Sequence, residues 1–220
     1  MAVVALALIG CAGGLSALDP MSGYGPAPLL PVPERRVVPV VRIAPARGWA
    51  AGEAPHAADA FRVQAFARDL DHPRWLHVLP NGDVLVAETN APPRPRERQG
   101  LRGWAMALIQ KRAGAAVPSA NRITLLRDAD GDGHAELRST FLDGLNSPFG
   151  MALVGDHLYV ANTDALVAFR YRAGQTRVVG DGVRVAELPA GTRNHHWTRN
   201  VVAGPPPMLY VTVGSNSNAG

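Results

Sequence analysis

Short apolar runs bounded by turn residues recur from Phe61 onward, and they recur as an ordered unit. The first unit is His72-Pro73-Arg74-Trp75-Leu76-His77-Val78-Leu79, then a Pro80-Asn81-Gly82-Asp83 turn, then Val84–Ala87. The second is Ser147-Pro148-Phe149-Gly150-Met151-Ala152-Leu153-Val154, Gly155-Asp156, then Leu158–Ala161. The third runs from His196 through Gly204 and on to Leu209–Val213. Each predicts a strand, a turn and a second strand, because the runs are short and rich in β-branched residues. Asn81-Gly82 and Gly155-Asp156 suit hairpin turns. Further strands are predicted at Ile123–Arg127, Leu137–Phe141, Leu166–Tyr171 and Val183–Leu188. A spacing of about 50 residues between the second and third units suits one four-stranded blade of a β-propeller, so the predicted class is all-β. The first interval is longer because of an insertion at 91–122. Within it Trp104–Arg112 predicts a helix with a basic end ahead of Gly114. Packing on the rim is the plain reading of that helix, and a membrane-surface role is the alternative.

The start of the chain has a different pattern. Met1 to Ile9 is apolar throughout, and Leu8-Ile9-Gly10-Cys11 has the form of a bacterial lipobox. The run is too short to span a bilayer and suits a signal peptide, with Cys11 as the lipidation site. No Lys or Arg precedes the run, which departs from the usual signal. Residues 12–60 are rich in Pro, Gly and Ala; Pro20, Pro26, Pro28, Pro31, Pro33 and Pro39 exclude a sustained helix. This stretch reads as a tether, with one short edge-strand candidate at Val37–Ile43. The predicted organisation is therefore a signal peptide at 1–11, a tether at 12–60 and a partial propeller domain at 61–220. The expected location is the periplasm or cell envelope, with a lipid anchor to the membrane.

Composition refines this picture only modestly. The 220 residues include 23 Gly and 19 Pro, as a turn-rich fold requires. The formal charge is +4, and Lys111 is the one lysine among 22 basic residues. No basic stripe is interleaved with aromatics, so nucleic acid is not an expected partner. Cys11 is the single cysteine, which excludes an intrachain disulfide.

Several blocks carry a family resemblance over roughly 61–220. They are Leu70-Asp71-His72-Pro73 with Leu79-Pro80-Asn81-Gly82 and Leu85-Val86-Ala87-Glu88; Val117-Pro118-Ser119-Ala120-Asn121-Arg122-Ile123-Thr124-Leu125-Leu126-Arg127-Asp128; Gly144-Leu145-Asn146-Ser147-Pro148-Phe149-Gly150-Met151-Ala152-Leu153; and Asn194-His195-His196-Trp197-Thr198-Arg199-Asn200. In this order they resemble the pyrroloquinoline quinone (PQQ)-dependent sorbosone/glucose dehydrogenases, the sorbosone branch above all. The resemblance implies a six-bladed propeller, about three blades of which lie in this chain, binding PQQ and Ca²⁺ at one end of the ring. It implies oxidation of a sugar-derived aldehyde or aldose, with electrons passed to an external acceptor such as a cytochrome or quinone pool. It implies that His196, five residues before Val201, is the general base. Imidazole takes up a proton near neutral pH with little tuning. His195, Arg199, Ser215, Asn216 and Asn218 are the implied substrate contacts. Thr198 and Arg199 stand where much of the family has glycine, and Ser215 stands where the soluble glucose dehydrogenases have an acid. The ligands of the catalytic Ca²⁺ are expected in later blades, so this stretch by itself is expected to be inactive.

A second cation site is suggested by spacing. In Asp128-Ala129-Asp130-Gly131-Asp132-Gly133 carboxylates alternate ahead of a turn, and Glu136 follows. An EF-hand would carry Glu at the twelfth position, where this chain has Ser139, so weak Ca²⁺ binding or a plain acidic hairpin is expected. Two other function classes fit a propeller: a non-enzymatic binding module of the envelope and a Ca²⁺-dependent lactonase. The lactonase would place several carboxylates near the central channel, where the third unit offers His195, His196 and Ser/Asn instead.

Overall fold

A computed structural model describes residues 19–29, 43–93, 100–115, 117–191 and 194–215. Cys11, Asn216, Asn218 and nearly all of the Val37–Ile43 strand candidate lie outside the described residues. The chain divides into two units, Met1–Arg42 and Ile43–Gly220. In the first, Pro20–Gly23 form a 3₁₀ turn capped by Asp19, whose carboxylate accepts the Met21 N–H at 2.9 Å. Proline at the first position suits such a turn because its missing N–H would have no partner there.

The second unit is built from successive antiparallel meanders. β1 (Pro73–Val78), β2 (Val84–Glu88), β3 (Arg122–Arg127) and β4 (Leu137–Leu142) form one sheet in that order. β5 (Met151–Val154), β6 (His157–Ala161), β7 (Ala165–Arg170) and β8 (Val183–Glu187) repeat the plan. β9 (Val201–Ala203) and β10 (Leu209–Val211) form a hairpin. Every strand predicted within the described residues is present; most bounds move by a residue or two, but β5 begins four residues after Ser147 and β9 five after His196. The order follows from the turns. Gly82 has φ +88° and its N–H returns to the Leu79 carbonyl at 2.9 Å, while Gly155, at φ +58°, turns β5 into β6.

The burial of each strand fits its place. β2 is buried almost throughout, whereas β8, at the edge of its sheet, is exposed along its whole length. The core lies between consecutive sheets. Leu85, Ile123 and Phe141 of the first pack with Met151, Leu158 and Val160 of the second. Ala152, Ala161 and Leu166 of the second pack with Val201 of the third. β5 lies against both β1 and β9, so the first strands of the three sheets are neighbours. Gly150 allows the second approach: a Cβ there would stand 2.5 Å from the Val201 nitrogen.

An aromatic ladder crosses the three sheets at the same place in each repeat. Trp75 and Phe149 lie 5.1 Å apart, and Phe149 meets Trp197 edge-on at 6.4 Å. A residue with positive φ, His72, Ser147 or Asn194, stands two or three positions before each aromatic. The insertion carries helix α1 (Gly100–Arg112), which begins four residues earlier than the apolar pattern predicted. Asn90 closes the base of this excursion, donating to the carbonyls of Val117 at 2.6 Å and Ala115 at 3.3 Å. Among the described residues no helix is long and apolar enough to cross a membrane.

Candidate functional site

The loop ahead of β9 holds three of the candidate site residues, His195, His196 and Arg199. Asn200 accepts the Thr212 N–H at 2.9 Å, and its own N–H donates to Thr212 Oγ1 at 3.1 Å. These bonds extend the β9–β10 pairing past the strand ends and bring the residues after β10 beside the loop. Gly214 then passes so close that a Cβ there would lie 2.6 Å from the His196 Cβ. Beyond it, His196 Nδ1 lies 2.9 Å from the Ser215 carbonyl oxygen and 3.1 Å from Ser215 Oγ. A carbonyl only accepts, so this contact places the proton on Nδ1 and the lone pair on Nε2. The imidazole is solvent-exposed. The chemistry open to it is proton acceptance at Nε2 by a ring of fixed tautomer. Two sequence candidates nineteen positions apart, His196 and Ser215, are thus in direct contact, and His195 beside them is half-buried.

Arg199 is placed differently from the expectation of a substrate contact. It is 1% exposed, and its guanidinium donates to the carbonyls of Thr198, His196 and Pro189 and to Asn194 Oδ1. Burial pushes its pKa down from the ordinary arginine value. Arg199 therefore holds the loop from within and does not present its charge on the surface. Asn194 extends the support, donating to Thr163 Oγ1 at 2.8 Å, and Thr163 Oγ1 donates to the Trp197 carbonyl at 3.0 Å. Arg74 is exposed and lies over the Trp197 ring at 5.8 Å. Sequence reasoning missed both Arg74 and the network. The one signal was that Trp75, Phe149 and Trp197 recur at matching places.

A buried carboxylate was also missed. Glu88, with no exposed side-chain surface, accepts from Arg122 at 3.1 and 2.8 Å, from Thr124 Oγ1 and from the Asp71 N–H. Burial pushes its carboxyl pKa up, but the bonds from Arg122, Thr124 and Asp71 outweigh that and hold it below the ordinary value. This cluster ties the segment before β1 to β2 and β3.

The acidic loop turns β3 into β4, on the first sheet, whereas His196 belongs to the loop leading into the third. Ligand oxygens of Asp128, Asp130, Asp132 and Glu136 all lie within 4.8 Å of one another. Each carboxylate already accepts a backbone N–H: Asp128 from Gly131 and Gly133, Asp130 from Asp132, Asp132 from His134, and Glu136 from Ala129. Those bonds, from Gly133 first, hold the Asp128 carboxyl below its ordinary pKa. Ser139, at the twelfth position, donates to the Thr176 carbonyl at 2.7 Å. These bonds engage both Asp128 oxygens and one oxygen each of Asp130, Asp132 and Glu136, and the loop has no bidentate Glu at its twelfth position to bind Ca²⁺ strongly. Calorimetric titration should give a Kd no tighter than about 10⁻⁴–10⁻³ M. Identical heats for the native protein and the Asp130→Ala/Asp132→Ala variant would remove the site. A cavity of about 350 Å³, lined by Asp143, Leu145, Asn162, Val167, Arg177 and Asp181 among others, contains none of the site residues expected from the sequence.

Comparison with known proteins adds a family. The domain of unknown function DUF7133 matches residues 52–219. The chain belongs to the DUF7133 family. No curated protein matches it. Solved structures similar to this DUF7133 chain include the holo form of the pyranose dehydrogenase PQQ domain from Coprinopsis cinerea, at 18% identity and TM-score 0.51 over 74% of this chain and 32% of that one. They also include a calcium structure of a Trichoderma reesei carbohydrate-active enzyme of family AA12, at 18% identity and TM-score 0.53 over 75% of this chain and 35% of that one. An iodide structure of the same family from that organism aligns at 17% identity and TM-score 0.53, over 82% of this chain and 38% of that one. The DUF7133 chain thus shares their mostly-β fold and spans about a third of their length.

Proposed function

We propose that this chain forms the opening blades of a β-propeller oxidoreductase that uses PQQ to oxidise an aldose or sugar-derived aldehyde, with His196 as general base. The observation that carries the reading is the His196–Ser215 contact, which fixes the ring tautomer and leaves Nε2 basic on an exposed ring. The fold shared with a pyranose dehydrogenase PQQ domain supports it, as does the ordered set of motifs read from the sequence. The pyranose dehydrogenase likeness favours a broad sugar substrate class, of which a sorbosone-like aldehyde is the narrowest form. In this reading 61–220 is the first half of a six-bladed ring, preceded by a tether and a lipidated signal. The protein then works in the cell envelope and passes electrons to a cytochrome or quinone pool.

The residues present fit the cofactor in part. Arg74, stacked on Trp197, offers a cation for a carboxylate of the quinone near the His196 loop. The acidic loop lies on another sheet and does not serve as the catalytic Ca²⁺ site; its ligands belong to later blades. PQQ, when bound, would supply the two-electron acceptor for the hydride lost from the substrate carbon. His196 Nε2 takes the proton of the hydroxyl on that same carbon, the C1 hydroxyl of a cyclic aldose or one hydroxyl of an aldehyde hydrate, so the substrate loses two electrons and two hydrogens. The Ser215 carbonyl, accepting from Nδ1–H, stabilises the imidazolium so formed. Arg199 and Asn194 keep the loop in place from beneath.

The test is titration of the whole protein with PQQ and Ca²⁺, followed by absorbance, alongside dye-linked oxidation of aldoses and aldehydes. Saturable quinone binding with substrate-dependent dye reduction is the expected result. Failure to bind quinone would overturn the reading in favour of an envelope binding module.

A further inference from the structure

Helix α1 stands out from the sheets and presents an apolar and basic face. Residues 104–108 are exposed in succession, while Gly103 is buried and Ile109 and Gln110 are partly so. At 3.6 residues per turn, Trp104, Leu108, Lys111 and Arg112 share one stripe, on the side opposite Gly103 and Gln110. Trp104 is 67% exposed and Leu108 59%. The helix, Gly-Leu-Arg-Gly-Trp-Ala-Met-Ala-Leu-Ile-Gln-Lys-Arg, contains no acidic residue. Its C-terminal end is braced by the segment beginning at Ile43: Arg112 O accepts the Ala46 N–H at 3.1 Å, and Arg112 Nε reaches the Ile43 carbonyl at 3.4 Å. That bond leads directly into Arg47 and an exposed Trp49.

We propose that α1, with the adjoining Arg47–Trp49 segment, docks on an anionic lipid surface. Two exposed tryptophans and an exposed leucine beside Lys111, Arg112 and Arg47 form the pairing that an interface selects. Aromatic and aliphatic groups enter the headgroup boundary while the cations stay among the phosphates. The helix carries no carboxylate of its own, so its charge is of a single sign, complementary to an acidic bilayer, although Glu53 caps Ala50 beside Trp49. The proposal does not depend on the oxidoreductase reading or on lipidation of Cys11.

The test uses the whole chain carrying Cys11→Ser, so that no acyl chain contributes. Co-sedimentation is measured with vesicles of phosphatidylcholine alone and of phosphatidylcholine with phosphatidylglycerol. Binding to the anionic vesicles should be at least tenfold stronger and should weaken as salt rises. At about fivefold per basic residue, Lys111→Glu/Arg112→Glu should weaken it by roughly 25-fold or more. Trp104→Ser/Leu108→Ser should weaken binding to the same vesicles at unchanged charge. All four positions are exposed, and unchanged circular dichroism would show the sheets intact. Equal binding by the variants and the parent, no preference for anionic vesicles, or self-association that the Trp104→Ser/Leu108→Ser variant abolishes without vesicles would each overturn the proposal. The last outcome would assign the face to a second copy of the chain.

Discussion

Replacing His196 with alanine in the quinone-loaded protein is expected to lower kcat for dye-linked sugar oxidation by about 10²- to 10⁴-fold. The quinone should still bind, as followed by its absorbance, because the histidine acts on the substrate hydroxyl. KM should change far less than kcat, since the lost interaction is one formed as the proton moves. His195→Ala is the contrasting variant and should act mainly through KM. Gly214→Ala should reproduce part of the His196 defect, because a methyl group there would displace the imidazole from Ser215. Near-full kcat in His196→Ala would place the base elsewhere.

The largest expected effect on stability comes from Glu88→Ala. Removing one partner of a buried ion pair leaves the other uncompensated, at a cost of about 3–5 kcal/mol. The lower end applies here because the Arg122 side chain keeps 29% exposure and retains its ion pair with Asp71 at 2.7 Å. In a chain of this size that loss lowers Tm by on the order of 10 °C. The pH dependence has a definite sign. The folded carboxyl has a depressed pKa, so the unfolded chain binds the proton more readily. The stabilisation is therefore complete above the unfolded carboxyl pKa of about 4.3 and is lost as pH falls through the lower folded value. Urea denaturation of the parent and of Glu88→Gln should show a gap at pH 7 that narrows below about pH 4. A gap that did not change with pH would mean that the carboxylate charge contributes nothing.

Strands were legible in the sequence because their turns were. Gly82 and Gly155 sit where the backbone needs positive φ, and β-branched runs flank them. The predicted Leu209–Val213 strand ends at Val211 because its partner β9 begins only at Val201. The candidate site was legible in part. His196 and Ser215 were each singled out, but their contact depends on the hairpin pairing that joins residues 19 positions apart. Arg199 could not be read correctly from composition. An arginine beside two histidines looks like a ligand contact until the fold turns it inward onto three backbone carbonyls and Asn194. Glu88 was hidden for a similar reason. Its partner Arg122 lies 34 positions away across the inserted helix, and the matching place in the second repeat is Asn162, so the repeat itself carries no carboxylate signal.

The meander order of the sheets has a consequence for how the chain acquires its structure. Within each sheet every strand pairs with the one just before it, so pairing a new strand closes only a short loop in nearly every case. The insertion between β2 and β3 is the costly exception, and the bonds from Asn90 to Val117 and Ala115 shorten the span that closure must bridge. On a ribosome the first sheet can therefore be complete before the residues of β9 have emerged. Each finished sheet then offers the next one a preformed face, with Phe149 added beside Trp75 and then Trp197 beside Phe149.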